Sequence, residues 1–214
     1  ENIDFKIKDN TTFGIIGATG SGKSTIAQLL MRMYEVDKGR ILINGEDIRS
    51  MDEKALRKRF GVVFQNDALF SFSVKENIAF GRNLDYEAVV EAAEFAQART
   101  FIEQLSHRYD EKVLRQGANF SGGQKQRMLI ARALAQHPEI IILDDASSAL
   151  DYQTDAQLRQ AIKKSFHSTA IMITQRVSSV MHADQILMLD QGKMVGLGTH
   201  EQLAKTCVPY QELM

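Results

Sequence analysis

The run Gly17-Ala18-Thr19-Gly20-Ser21-Gly22-Lys23-Ser24-Thr25 limits this chain more than any other part of it. An apolar stretch, Thr11-Thr12-Phe13-Gly14-Ile15-Ile16, precedes it. Ile26, Leu29, Leu30 and Met33 follow it, spaced i, i+3, i+4 and i+7. The first pattern predicts a short strand, and the second predicts one face of a helix running from about Lys23. Glycines between the two let backbone N–H groups converge on an anion that a Cβ would push away. The helix start aims the positive end of its dipole at the same place. A G-x-x-x-x-G-K-[ST] run in this setting is a phosphate cradle. Its candidate binding residues are Gly17, Thr19, Gly20, Ser21, Gly22, Lys23, Ser24 and Thr25. Lys23 supplies a point charge for β- and γ-phosphates, and Ser24 supplies a hydroxyl for Mg²⁺.

A second cluster that can meet a phosphate lies well downstream. Ser121-Gly122-Gly123-Gln124 opens an apparent helix, with Met128, Ala131, Leu134 and Ala135 on one face. Ser is a good N-cap. Two consecutive glycines at a helix start cost stability, which points to close backbone approach by a ligand.

Between and beyond these clusters the chain reads as alternating strands and helices. Short strands are predicted at Arg40–Ile43 and Gly61–Phe64, with Asn44-Gly45 as a turn. Helices are predicted at Asp85–Ala98, Arg99–Leu105 and Gln124–Gln136, and no strand candidate interrupts that stretch. Pro138 stops the last of them. Ile140-Ile141-Ile142-Leu143 is a continuous apolar run, as in a strand buried on both faces. Asp151 caps a helix reaching Phe166, with Leu158, Ile162 and Phe166 on one face. Thr169–Thr174 and Gln185–Leu189 are two more buried strands. Gly192–Gly198 is a strand pair or turn, and a short helix ends the chain. This order predicts an α/β fold with a mostly parallel, doubly wound sheet, an inserted helical lobe and an antiparallel β region. We divide it into an α/β core, residues 1–72 and 138–214, and a helical lobe, residues 73–137.

Such a fold needs a sizeable core, and 214 residues with 44% apolar content supply one. A net charge of −1 leaves no bulk basic footprint, so no nucleic-acid partner is expected. A single cysteine, Cys207, excludes an internal disulfide and reads as structural or incidental. No stretch approaches the roughly 18 apolar residues of a membrane span. Glu1-Asn2-Ile3-Asp4-Phe5 already reads as strand, as if the domain were excised from a longer chain.

The two phosphate clusters together resemble the nucleotide-binding domain of ABC (ATP-binding cassette) transporters, and the resemblance covers nearly the whole chain. It implies a P-loop NTPase (RecA-like) core with ATP and Mg²⁺ as ligands. Ile140–Leu143 followed by Asp144 resembles the Walker B strand, whose Asp holds Mg²⁺. Gln65 resembles the Q-loop glutamine, which binds Mg²⁺ and senses the γ-phosphate. Ser121, Gly122, Gly123 and Gln124 resemble the signature, with Phe120 in place of its usual Leu. In this family the signature meets the γ-phosphate held by another subunit. Ser148-Ala149-Leu150-Asp151 resembles the D-loop, and Gly196–Glu201 resembles a segment near the family's C-terminus, where His200 reads as structural. Phe72–Gly81 and Arg108-Tyr109-Asp110 are similar to exporter segments. The resemblance also implies transmembrane domains as partners, a place at the cytoplasmic face of the cell membrane, and an adenine-stacking aromatic upstream of Glu1.

Besides Phe120, the chain departs from the family at Asp145, at Gln175 and in the segment Val113–Gly117. A Glu usually follows the Walker B Asp and polarises the attacking water, and here that position is Asp145. Its carboxylate is one methylene shorter, about 1.5 Å. A switch His usually follows the strand that here ends at Thr174, and this chain has Gln175. Glutamine can hydrogen-bond a phosphate oxygen but cannot exchange a proton near neutral pH. Losses of a base and of a charge-stabilising group are each typically about 10²–10³-fold and need not multiply. The pattern resembles the degenerate half of heterodimeric ABC exporters. The implied partner is a second, different cassette carrying the consensus Glu and His. Val113–Gly117 also lacks an acidic residue that exporters often place there. Alternative readings are a soluble ABC-class ATPase of DNA repair, chromosome structure or translation, or a regulatory ATP-binding module. The first of these usually carries coiled-coil insertions or basic linkers between paired cassettes, and this chain has neither.

Overall fold

The computed structural model describes residues 3–146, 149–165 and 168–214. Its elements in chain order are β1 (Thr12–Ile16), α1 (Lys23–Leu30), β2 (Leu42–Ile43), β3 (Glu46–Asp47), α2 (Glu53–Lys58), β4 (Phe60–Val63), α3 (Val74–Ala79), α4 (Tyr86–Phe95) and α5 (Arg99–Glu103). Then come α6 (Gly122–Leu134), β5 (Ile140–Asp144), α7 (Tyr152–Ser165), β6 (Thr169–Thr174), α8 (Val177–Val180), β7 (Gln185–Asp190), β8 (Lys193–Gly198), α9 (His200–Thr206) and α10 (Val208–Gln211). The chain forms two compact units, Glu1–Phe60 with Thr169–Met214, and Gly61–Ser168.

In the first unit β1 lies between β6 and β7, parallel to both, with Ile16 opposite Thr174 and Met188. All six residues of β6 are buried, and four of five in β1. Strands covered on both faces need such near-continuous apolar runs. β8 adds antiparallel to β7. The turn between them, Gln191-Gly192, has positive φ at both residues (44° and 75°), which suits a two-residue hairpin. Asn44 (φ 53°) and Gly45 (φ 86°) turn β2 into β3 in the same way. Leu203, Cys207 and Tyr210 from α9 and α10 join Val180, Ile186 and Met188 in one apolar cluster. Cys207 is thus core, and His200 Nδ1 meets the Tyr210 hydroxyl at 2.9 Å.

In the second unit β4 and β5 are hydrogen-bonded neighbours. α6 is the central helix and packs against α3 and α4. Met128, Ala131, Leu134 and Ala135 are all buried, as the helical spacing predicts. Arg132 points inward from the same helix. Its guanidinium donates to the Asn77 carbonyl (2.8 Å), the Ala68 carbonyl (3.1 Å) and Asn77 Oδ1 (3.1 Å), and it lies 4.4 Å from the centre of the Phe80 ring. Burial pushes its pKa down to about 10.

Several sequence expectations are corrected here. The helix from Lys23 ends at Leu30, because Arg32 adopts φ 51°, and Met33 is exposed instead of sharing the buried face. Residues 3–8 form no strand. Their exposure alternates and Phe5 stacks on Phe13 at 5.1 Å, but no ladder partner is assigned to them. Arg40–Ile43 contracts to two residues. Short helices at α2, α3 and α8 appear where the sequence reading placed none. Phe166 lies outside the described residues.

Tyr109 is buried at 2% exposure, edge-on to Tyr86 at 5.4 Å, and its hydroxyl has no hydrogen-bond partner among the described residues. Burial pushes its pKa up to about 12. Removing a buried unpaired hydroxyl relieves a desolvation cost of order 1 kcal/mol. Tyr109→Phe is therefore expected to stabilise the protein by about 1 kcal/mol, read as a higher urea midpoint at unchanged m-value. A lower midpoint would show that the hydroxyl is bonded in solution.

Candidate functional site

The phosphate loop leaves the buried end of β1 at Gly17. A Cβ there would strike the Leu189 carbonyl and come within 2.6 Å of Ser21 Oγ, so only glycine fits. Gly22 is the N-cap of α1 at φ 97°, a left-handed conformation that favours glycine. It brings no side chain to the helix start, and no side-chain cap bond is made there. No side-chain cap therefore competes with an incoming anion at the start of α1. The loop itself is tied down. Ser21 N–H donates to the Ala18 carbonyl at 3.2 Å, and Gly192 N–H donates to the Ser21 carbonyl at 3.1 Å. Ser21 is buried and its Oγ has no partner among the described residues. Lys23 is 7% exposed, and its ammonium donates to the Gly17 and Ala18 carbonyls, both at 2.8 Å. Thr19, Gly20 and Thr25 are exposed, and Ser24 is half-buried. A fixed cation, an orphaned buried hydroxyl and an uncapped helix start together fit a polyphosphate.

Gln175 belongs to the same unit. It follows Thr174 at the end of β6, beside the strand that feeds the loop. Thr19 Oγ1 donates to Gln175 Oε1 at 3.2 Å. Sequence spacing offers no sign of this contact across 156 positions, because parallel pairing creates it.

Gln65, Asp144 and Asp145 belong to the second unit. Gln65 sits exposed in a turn just after β4. That turn is closed by the Asp67 N–H donating to the Phe64 carbonyl (3.1 Å) and by the Phe64 N–H donating to Asp67 Oδ2 (2.9 Å). Asp67 is thus a supporting residue that the sequence reading missed, although Asn66-Asp67 carries a turn signal. Asp144 closes β5 and is 2% exposed. Asp145 has φ 50°, in the left-handed region. Among residues with a Cβ, Asp and Asn tolerate that region best.

The Ser121 cluster forms a reciprocal cap. Ser121 Oγ accepts from the Gln124 N–H at 3.3 Å, and Gln124 Oε1 accepts from the Ser121 N–H at 2.9 Å. The Gln124 amide oxygen is therefore engaged in capping. A Cβ on Gly123 would lie 3.2 Å from the Ala149 carbonyl, a tight fit, while one on Gly122 would lie 3.8 Å from Ala149 Cβ, ordinary contact. Ala149 thus bounds the space in which a side chain at either signature glycine would sit. Asp151 accepts from the Thr154 N–H at 2.9 Å and caps α7, whereas Ser148 lies outside the described residues.

Comparison with known proteins agrees with this picture. Residues 1–148 match the family described as ABC transporter. The chain is 44% identical over 213 residues to an uncharacterized ABC transporter ATP-binding protein, YfiB, of Bacillus subtilis, covering 99% of this chain and 37% of that protein. It is 42% identical over 204 residues to the leukotoxin translocation ATP-binding protein LktB of Mannheimia glucosida, covering 94% and 29%. A bacterial Atm1-family ABC exporter solved with ATP bound superposes with a TM-score of 0.93 at 38% identity, covering 98% of this chain and 37% of that one. The chain therefore spans only 29–37% of the length of these relatives. With its phosphate loop, its strand-end aspartate and its serine-glycine-glycine helix start, the chain belongs to the ABC transporter family as an ATP-binding cassette.

Proposed function

We propose that this chain is the ATP-hydrolysing motor cassette of a membrane exporter. It binds Mg-ATP through Gly17–Thr25 and works at the cytoplasmic face of the membrane, joined to transmembrane domains. The core is residues 1–72 and 138–214, and residues 73–137 form the lobe that carries the signature. Ser24, Gln65 and Asp144 supply the hard oxygen donors that suit Mg²⁺. When bound, the metal neutralises charge on the β- and γ-phosphates. Two cassettes close head to tail around nucleotide, and Ser121, Gly122 and Gly123 face the partner's γ-phosphate. This chain's own site is slow. Asp145 stands in for the longer water-polarising Glu, and Gln175 for a histidine, so the partner is a different chain bearing both consensus residues. The observation that carries the reading is the loop itself, with Lys23 folded over its carbonyls beside the orphaned Ser21 hydroxyl.

Lys23→Ala removes the charge that faces the phosphates. Charge-assisted contacts of this kind are worth enough that Mg-ATP affinity is expected to fall about ten- to a hundredfold by equilibrium titration. Unchanged affinity would exclude the site.

The division of labour has its own test in the intact transporter at saturating ATP. Asp145→Asn is expected to lower total turnover less than about twofold, because the site it serves contributes little. Asn tolerates the left-handed conformation as well as Asp, so stability should stay within about 0.5 kcal/mol. Gly122→Asp is expected to abolish most turnover. An added Cβ fits at Gly122 and an acid suits a helix first turn, so the protein should fold, while the carboxylate repels the partner's γ-phosphate. If Asp145→Asn stops turnover and Gly122→Asp does not, this chain holds the main catalytic site.

A further inference from the structure

Phe120 stands where the family's signature usually has leucine, and its ring has a specific seat. It is 7% exposed and lies edge-on to Phe101 of α5, with ring centres 6.4 Å apart at 64°. A leucine can fill such a space but presents no ring to orient its neighbour. The Phe101 ring is engaged a second time. The Arg127 guanidinium lies over it, 4.7 Å from its centre, within cation–π range. Side chains from α5, from the entry to α6 and from α6 itself thus form one stack.

Arg127 uses the same guanidinium for two backbone bonds. Nη1 donates to the Gln97 carbonyl at 2.7 Å, and Nε donates to the Gly123 carbonyl at 3.3 Å. The Gln97 end is anchored. Gln97 sits at φ 57° between α4 and α5, its N–H donates to the Glu94 carbonyl (2.9 Å), and the Ala98 N–H donates to the Ala93 carbonyl (2.6 Å). The Gly123 end is the soft one. Gly122 and Gly123 begin α6, and glycine leaves a backbone more freedom than any other residue. A planar guanidinium holds two carbonyls in a fixed relation, which an ammonium on a flexible stem does not.

We propose that Arg127 is a positioning residue. Held by the Phe101–Phe120 pair, its guanidinium braces the two-glycine start of α6, so that the N–H groups there are fixed in place for the terminal phosphate carried by a second cassette. This rests on the reading that Ser121–Gly123 face that phosphate. The nucleotide is bound mainly by the other cassette's loop, so the brace acts on turnover and leaves ATP affinity nearly untouched.

The test uses the intact transporter. Hydrogen–deuterium exchange without nucleotide reads the brace itself. Arg127→Lys keeps the charge and loses the fork, and is expected to speed exchange over residues 121–127 about three- to tenfold, the worth of one hydrogen bond. Phe101→Leu should do the same, and Phe101→Tyr, which keeps the ring face, should not. In ATP turnover per assembled transporter, Arg127→Lys and Phe101→Leu are expected to lower kcat about three- to tenfold with KM within about twofold of wild type. Phe101→Tyr should keep kcat. A merely structural role would reduce the amount of assembled transporter and leave kcat per transporter as it was. Unchanged exchange in Arg127→Lys overturns the proposal. So does faster exchange at wild-type kcat, a rise in KM alone, or an equal loss in Phe101→Leu and Phe101→Tyr. If Gly122→Asp leaves turnover intact, the start of α6 faces no phosphate, and the proposal falls with that reading even where exchange has quickened.

Discussion

Parallel pairing at β1 is the constraint on which the site depends. β1 lies between β6 and β7 and ends level with β6, Ile16 opposite Thr174, while β7 runs on from Met188 to Asp190, so the segments after β1 and β6 leave the sheet at one level. The loop begins where a Cβ would strike the Leu189 carbonyl of β7, and the β7–β8 turn returns through Gly192 to hold the Ser21 carbonyl. The sheet therefore does more than carry the loop, because its neighbouring strands shape the curve the loop must take. A buried strand has no solvent to absorb an error in register, and a slip of one residue would turn its side chains to the opposite face. The Lys23 ammonium is set by the same geometry, since both carbonyls it meets belong to the first residues beyond β1.

The start of α6 concentrates its stabilising contacts in four residues. Ser121 and Gln124 satisfy each other's backbone N–H groups, which leaves Gly122 and Gly123 as the first residues inside the helix. Glycine there weakens the helix, and the reciprocal cap offsets part of that cost. Ala149 presses on Gly123 closely enough that a larger residue would force movement. At Gly123 the need for glycine thus comes at least partly from within this chain. At Gly122 a Cβ has room and the fold does not explain the glycine, whereas the proposed approach of a partner's γ-phosphate would.

Patterned parts of the chain were legible before the structure. The loop declared itself through residue types at fixed spacing. The buried strands declared themselves through unbroken apolar runs, α4 through its Ala- and Glu-rich run, and α7 through Asp151, which caps as expected. Three helices shorter than two turns were not legible. α2, α3 and α8 are too short for periodicity to register, although the Ser73–Glu76 capping box marks the start of α3 in hindsight. The end of α1 was misread because Met33 continues the apolar spacing while Arg32 leaves helical geometry. Conformation and long-range contact were also hidden. Nothing in the letters around Asp145 announces a left-handed backbone, and Thr19 and Gln175 meet only because two distant strands pair.

On the proposed reading, Asp145 and Gln175 act on different physical quantities. At Asp145 the quantity is reach. The backbone there is left-handed, where a short side chain able to bond locally pays less strain than a long one. Aspartate eases the conformation and gives up about one carbon–carbon bond of extension toward a water. At Gln175 the quantity is proton capacity. An amide keeps a donor for phosphate and loses the ability to take or give a proton. Neither change removes a part of the proposed anion site. The anion site stands on Lys23, the loop N–H groups and the start of α1, and those parts are complete. Binding held intact while transition-state contacts are weakened is what separates a cassette that closes on ATP from one that turns it over quickly.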